Sequence, residues 1–173
     1  MTNFEELIKQ RESCRDFNGK LVKTKDLLKC VEAARLAPSA CNAQPWFFYI
    51  VNNPQKIKAI ANHLQTFNQT AGAFIVIVEK KPSIPVKCIN GFKLQDYTKV
   101  DIGIAASHIC LQATELNLST CMLGLFNEKE IKEELAISAK ERIRLIISVG
   151  YSDNLNAKPK KRKGLQAISK LVE

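Results

Sequence analysis

The sequence lacks any apolar run of the roughly 18 residues that a membrane-spanning helix needs. It also lacks the start of a secretory signal peptide, because residues 1–6 are acidic and amphipathic rather than basic and then apolar. Both absences favour a cytoplasmic protein without a membrane partner. The 173 residues are 46% hydrophobic and 25% charged, which is typical of a globular protein. We therefore predict a single domain over residues 1–173.

Motifs for nucleotides and for side-chain catalysis are also missing. There is no Gly-x-Gly-x-x-Gly and no Walker loop, which removes the main support for Rossmann and P-loop folds. The chain has only two histidines, His63 and His108, and neither lies in a nucleophile motif. A Ser–His–Asp triad is therefore not supported, and we interpret His108 as a packed or interface histidine rather than a catalytic one.

The six cysteines include no Cys-x-x-Cys pair, so a structural zinc or iron–sulfur site is not expected and no metal is predicted. Disulfides are not expected in a chain without a secretory signal. Cys30 and Cys110 fall in helical patterns and Cys121 in a strand pattern. Buried free thiols are the preferred interpretation.

Basic charge is concentrated near the end of the chain. The formal net charge is +9, and five of the positive charges lie in residues 158–163. This local concentration favours a phosphate site or a basic tail over a broad nucleic-acid surface. Upstream, Arg11 and Arg15 stand four residues apart with Ser13 between them, a grouping suited to binding an anion.

Hydrophobic periodicity predicts helices that alternate with four strands. The strands are expected at 46–51, 74–78, 119–126 (interrupted by Gly124) and 143–150. Helices are expected up to Arg11, from an N-cap at Thr24 to about Ala37, after Asn53, over 97–116 and from Asn127. Because the crossovers do not form regular βαβ units, we predict an α+β fold with a mostly antiparallel sheet flanked by helices.

The loop at residues 38–46, Pro-Ser-Ala-Cys-Asn-Ala-Gln-Pro-Trp, joins a helix to an apolar strand. Its prolines, small residues and amides predict a rigid loop with hydrogen-bonding groups free for a ligand. In the 97–116 helix, the small residues Gly103, Ala105, Ala106 and Ser107 predict close contact with another helix. The irregular stretch at 80–95 is either a substrate-facing lid or a surface connection.

Three elements in this order resemble the FMN-dependent nitroreductase family: Arg-x-Ser-x-Arg at 11–15, the 38–46 loop, and Lys-x-Arg at 160–162. The loop is the most specific of them, and the resemblance covers nearly the whole chain. It implies a domain-entwined homodimer with FMN at each subunit interface. It also implies an NAD(P)H-dependent flavin oxidoreductase. NADH or NADPH would deliver hydride to flavin N5, and a nitroaromatic, quinone or flavin-like acceptor would be reduced in a second, ping-pong step.

The resemblance also implies site residues. Arg11 and Ser13 match residues that hold the FMN phosphate, and Glu12 between them belongs to the same cofactor-binding element. Lys160 and Arg162 match a C-terminal phosphate clamp. Other residues match contacts of the flavin ring. Arg15 matches the cation beside N1 and the C2 carbonyl. The loop that reaches the flavin from the partner subunit is matched by Pro38, Ser39, Ala40 and Asn42, and the backbone that faces N5 is matched by Leu123, Gly124 and Leu125.

The chain departs from the family pattern at several points. The region of Met122 lacks the acidic residue that some members carry, and the chain is short, without the helical insertions of larger members. Ala40 replaces a common serine, and the usual mid-chain amide contact falls to either Asn68 or Gln69. Since no side chain is identified as catalytic, the flavin would carry the chemistry. The alternative interpretation is a small basic domain that binds nucleic acid through Lys158 and the rest of the 158–163 run. It predicts no flavin and strongly salt-dependent binding.

Overall fold

The computed structural model describes residues 3–65, 70–81, 96–154 and 160–173. Several sequence predictions fall outside these residues: those for Asn68, Gln69 and Lys158, that of a free thiol for Cys88, which is one of the six cysteines, and that for most of the 80–95 stretch. Within the described part of the chain, no helix is long and apolar enough to cross a membrane.

Helices and strands alternate, as the periodicity predicts. The helices are α1 (Phe4–Gln10), α2 (Thr24–Arg35), α3 (Pro54–Asn62), α4 (Thr98–Glu115) and α5 (Glu128–Glu134), with short 3₁₀ turns at Ala40–Asn42 and Leu165–Ala167. The strands are β1 (Trp46–Val51), β2 (Ala73–Glu79), β3 (Ser119–Leu123) and β4 (Arg142–Gly150). They form one sheet in the order β1-β2-β4-β3 in which all neighbours are antiparallel. The predicted α+β class and antiparallel sheet are confirmed.

The central strand β2 is apolar from Ala73 to Val78, and only its last residue, Glu79, is charged. Phe74, Val76 and Val78 face a core that includes residues of α3 and α5. Ala73, Ile75 and Ile77 face a second core formed with α2 and α4. Because successive side chains of a strand point to opposite faces, a strand covered on both faces has no polar position to alternate with.

Three local predictions need correction. The third strand ends at Leu123, so Gly124 lies beyond the strand rather than inside it. Thr24 is the first residue of α2 rather than its N-cap, and its Oγ1 accepts a hydrogen bond from Asn52 Nδ2 at 2.7 Å. The helix before the loop ends at Arg35, two residues before the predicted end near Ala37, and the Ala37 amide bonds the Ala34 carbonyl three residues back instead of continuing the helical pattern. By contrast, the cap at Asn53 is confirmed, since its Oδ1 accepts from the amides of Gln55 and Lys56.

The small residues of α4 divide between two faces of the helix. Ala105 and Ala106 are fully buried inside this chain, in the core that α4 shares with α2. Gly103 and Ser107 are exposed. Close helix contact is therefore confirmed for the alanines, but within the chain. Of these four residues, Gly103 and Ser107 are the two that the described part of the chain leaves accessible to a second subunit.

Candidate functional site

The connection between α1 and α2 lies across the ends of β3 and β4. The Cys14 amide donates to the Thr120 carbonyl of β3 at 2.9 Å, and the Asn18 amide donates to the Tyr151 carbonyl after β4 at 2.9 Å. Phe17 packs so closely on the end of β4 that a Cβ added at Gly150 would lie 2.8 Å from its ring. These contacts hold residues 11–16 in one place on the sheet.

The C-terminal basic segment returns to the same place. Lys160 Nζ donates to the Lys9 carbonyl at the end of α1. A cation is favourable there because the last carbonyls of a helix carry partial negative charge. Arg162 Nη1 bonds the adjacent Lys161 carbonyl at 2.9 Å. Residues about 150 positions apart in the chain thereby meet at one end of α1.

Between these two segments lies a cavity of about 430 Å³. Its lining contains five cationic side chains and two carboxylates, a surplus of three positive charges. The lining residues are Arg11, Glu12, Ser13, Cys14, Arg15, Asp16, Ser152, Asn154, Lys160, Lys161 and Arg162. Such a concave cationic surface with a hydroxyl group suits a phosphate or another multivalent anion.

The two arginines predicted from the sequence differ in their surroundings. Arg11 is half-buried and approaches Cys110 of α4. Burial raises the pKa of the Cys110 thiol, while the Thr120 hydroxyl and the Arg11 guanidinium oppose this shift. Arg15 is exposed, and its Nη1 donates a long 3.4 Å bond to the Ser13 carbonyl. Arg11 is therefore fixed against the interior, and Arg15 reaches from the rim.

The 38–46 loop has an unusual backbone. Cys41, Asn42 and Gln44 all have positive φ, at 52°, 52° and 46°. Hydrogen bonds inside the loop support this path: the Gln44 amide donates to Ser39 Oγ at 3.0 Å, and Gln44 Nε2 donates to Asn42 Oδ1 at 3.1 Å. The Ala40 amide donates to Asp101 Oδ1 of α4 at 3.2 Å.

The predicted flavin-facing stretch, residues 123–125, begins at the last residue of β3. Leu123 is buried, while Gly124 and Leu125 are exposed. A Cβ added at Gly124 would meet no atom of the described chain within 4 Å. The chain itself therefore does not require a glycine there.

The structure brings together six of the thirteen predicted site residues: Arg11, Glu12, Ser13, Arg15, Lys160 and Arg162. Among the described residues, this cavity's lining includes none from the 38–46 loop or from Leu123, Gly124 and Leu125. It does include Asp16, Ser152, Asn154 and Lys161, which the sequence reasoning did not single out. Lys161 lies within the recognised basic run. Ser152 and Asn154 could have been identified as candidate site residues from the polar stretch that directly follows the last strand.

His108 lies outside this cavity and has a structural contact. Its Nδ1 is 3.1 Å from the Ala33 carbonyl, so the ring links α4 to α2. This supports the interpretation of a packed histidine. In the described residues, no cluster of three or more histidine, cysteine or acidic side chains could hold a metal ion.

Comparison with known proteins identifies the family. A model of the nitroreductase family matches residues 8–83 and 87–151. The chain belongs to the nitroreductase family. The resemblance stated from the three sequence elements is thus confirmed, as is an oxidoreductase of the nitroreductase type.

Individual relatives agree with this nitroreductase assignment. The chain is 28% identical to an oxygen-insensitive NADPH nitroreductase of Helicobacter pylori, with 95% of this chain and 94% of that protein covered. A nitroreductase family protein of Clostridium difficile 630 superposes with a TM-score of 0.82 at 27% identity, covering 98% of both chains. An FMN-dependent nitroreductase of C. difficile R20291 superposes with a TM-score of 0.70 at 29% identity, covering 94% of this chain and 92% of the other.

Proposed function

We propose that this nitroreductase is a homodimeric FMN enzyme with one domain over residues 1–173. It would use NADH or NADPH to reduce an electron-poor small molecule such as a nitroaromatic, a quinone or a flavin-like compound. The cationic cavity is the observation that carries the proposal, because FMN ends in a phosphate with close to two negative charges near neutral pH. Among the relatives described above, one is an NADPH nitroreductase and another an FMN-dependent nitroreductase.

The donor set of the cavity fits the phosphate of FMN. Arg11 and Ser13 line one side, with Glu12 between them, and Lys160 and Arg162 line the other. Guanidinium groups can bind a phosphate through two parallel hydrogen bonds, which fixes its orientation as well as its charge. The surplus of three positive charges exceeds what the two phosphate charges require, so the carboxylates in the lining do not prevent binding.

The remaining residues would serve the ring of the cofactor. Arg15, at the rim, would place a positive charge beside the flavin pyrimidine edge. The backbone at Leu123, Gly124 and Leu125 would face flavin N5. When bound, FMN would supply the hydride chemistry between the nicotinamide and the acceptor, and the chain would bind, orient and exclude water.

The loop residues Pro38, Ser39, Ala40 and Asn42 would reach the flavin of the partner subunit. Their absence from the cavity of their own chain is consistent with this role. Asn42 is well suited to such a role, because it is exposed and asparagine tolerates positive φ better than most residues.

Exposed apolar surface supports the homodimer. The C-terminal segment leaves Leu165, Ile168, Leu171 and Val172 between 66% and 83% exposed. A groove of about 620 Å³ between α2 and the edge strand β1 has an apolar part formed by Leu28, Val31, Trp46, Phe47 and Phe48, beside four charged side chains of α2. Apolar surface of this extent typically marks a protein interface. We propose that a second copy of the chain covers these surfaces.

The rival function, nucleic-acid binding through the 158–163 run, has weaker support. Lys160, Lys161 and Arg162 line a concave cavity together with two carboxylates, Glu12 and Asp16. A duplex backbone needs an extended basic surface, whereas these cations line a concave cavity that they share with acidic side chains.

An absorbance spectrum of the freshly purified protein tests the proposal. We expect a yellow protein that contains FMN and chain in a one-to-one ratio. Its flavin should be bleached by NADH or NADPH under anaerobic conditions and reoxidised by a nitroaromatic or a quinone. A colourless protein that also fails to take up added FMN would refute the flavin enzyme, and salt-sensitive binding of DNA or RNA would then favour the rival.

A further inference from the structure

The 38–46 loop adopts a backbone path that its residues do not favour by themselves. Cys41 and Gln44 have positive φ although neither is glycine or asparagine. A Cβ crowds the carbonyl oxygen in this region, so such residues need support from surrounding structure. The bonds within the loop, from Gln44 to Ser39 and Asn42, fix its shape but not its position on the protein.

Asp101 provides a bond from the loop to the rest of the fold. Its Oδ1 accepts the Ala40 amide at 3.2 Å across 61 positions of sequence. The side chain belongs to the first turn of α4, where a negative charge is favoured by the helix dipole. Asp101 is only 4% exposed, so its bond to Ala40 is largely shielded from competing water.

We propose that Asp101 is a positioning residue that holds residues 40–44 in the orientation required for cofactor binding. It acts through the Ala40 amide at the start of the 3₁₀ turn that carries Asn42, and it touches neither the cofactor nor the substrate. This inference rests on the proposed function, in which the loop of one subunit completes the flavin site of its partner. Without the acceptor, the Ala40 amide loses its anchor and residues 40–44 can shift relative to α4, while the Pro45 carbonyl still accepts the Lys80 amide at 3.1 Å.

The experiment compares three variants with the parent dimer. Asp101→Ala removes the acceptor, and Asp101→Asn keeps an oxygen in the same place without the charge. Asp96→Ala is the matched control, because Asp96 bonds the Thr98 amide at the same end of α4 at 3.0 Å and is exposed. FMN affinity is measured by quenching of flavin fluorescence, and the melting temperature is recorded for every variant.

For Asp101→Ala we expect FMN affinity to fall by about 10- to 150-fold, the range for losing one hydrogen bond to a charged, shielded acceptor. Asp101→Asn should restore affinity to within about threefold of the parent, because an amide oxygen can still accept the bond. Asp96→Ala should change affinity little, even if it lowers the melting temperature. Equal FMN affinity in Asp101→Ala and Asp96→Ala would overturn the proposal.

A second measurement does not depend on flavin. Hydrogen exchange of the Ala40 amide should accelerate in Asp101→Ala and remain at the parent rate in Asp96→Ala. Unchanged exchange in Asp101→Ala would refute the anchor whatever the cofactor result. If the parent binds no FMN, the proposed function fails, while the exchange data still decide whether Asp101 holds the loop.

Discussion

Replacement of Arg162 by alanine tests the phosphate clamp most directly. Arg162 lines the cationic cavity and is exposed, with its Nη1 bonded to the Lys161 carbonyl. A charge-assisted hydrogen bond to a phosphate contributes roughly 1.5–3 kcal/mol, which corresponds to about 10- to 150-fold in affinity. Because solvent screens an exposed cation, we expect the lower part of this range, a loss of about 10- to 30-fold.

The assay uses FMN and riboflavin as paired ligands, because they share the ring and differ in the phosphate. Arg162→Ala should weaken FMN binding and leave riboflavin binding unchanged. Lys163→Ala is the matched control, since this neighbouring lysine is exposed and is not part of the cavity lining. The parent's preference for FMN over riboflavin should also shrink as salt is raised.

Two results would refute this reasoning. If both ligands lose affinity equally, Arg162 supports the fold of the site rather than the phosphate. If Lys163→Ala has the same effect as Arg162→Ala, the basic run acts through its overall charge and the specific clamp must be abandoned.

Three further expectations follow from other parts of the molecule. Arg15→Gln should retain oxidised FMN but lower its reduction potential by about 20–70 mV, the effect of one charge at ~5 Å from anionic reduced flavin; a dye-coupled redox titration that gives the parent's potential would contradict this. Gly103→Arg should produce a flavin-free monomer on size-exclusion chromatography, because a Cβ there meets no described atom of its own chain within 4 Å and the new side chain would extend into the proposed interface; a flavin-loaded monomer would contradict it. Burial raises the pKa of the Cys30 thiol from 9.0 to about 12. The Cys30 thiol should therefore resist alkylation at pH 8, whereas the exposed Cys41 should react. The contribution of the Cys30 thiol to the free energy of unfolding should be lost as pH rises from about 9 to 12, and the Cys30→Ala variant should not show this loss.

The sign of the Cys30 effect follows from linkage. Folding favours the protonated thiol, because the folded pKa lies above the unfolded value of 9.0. Below pH 9 both states are protonated and the contribution is fully present. Above it the unfolded state loses the proton first, so unfolding becomes progressively easier until the folded thiol also ionises. A melting temperature of the parent that falls no faster than that of Cys30→Ala over this range would contradict the assignment.

The replacement of Gly103, rather than Ala106, illustrates what the sequence cannot supply. Both residues are small and both lie in the same stretch of α4. Sequence spacing identified a helix suited to close packing, but whether each small residue faces inward or outward depends on where α2 docks. The structure buries Ala106 and exposes Gly103. A charge at Ala106 would therefore disrupt the chain's own core instead of the proposed dimer interface.

The elements themselves were determined locally. The apolar runs of β1 and β2, the Asn53 cap and the long α4 depend on side-chain periodicity and on turn chemistry within a few residues, and the sequence displays both. The 38–46 loop could also be predicted from local sequence, because proline, small residues and amides favour turns and loops wherever they occur. The positive φ angles of Cys41, Asn42 and Gln44 could not be predicted in this way, because they need support from contacts with the rest of the fold, such as that between Asp101 and the neighbouring Ala40.

The cationic cavity was decided by the tertiary structure. The sequence shows an arginine pair near residue 11 and a basic run near residue 160, each of which would suit a solvated surface equally well. They share a cavity because β3 and β4 are neighbours whose ends receive the Cys14 and Asn18 amides, and because Lys160 reaches the end of α1. Such pairings between distant segments depend on strand order and register, which are properties of the whole fold. Residue types alone therefore indicated an anion site, and only the packing of the sheet assembled it.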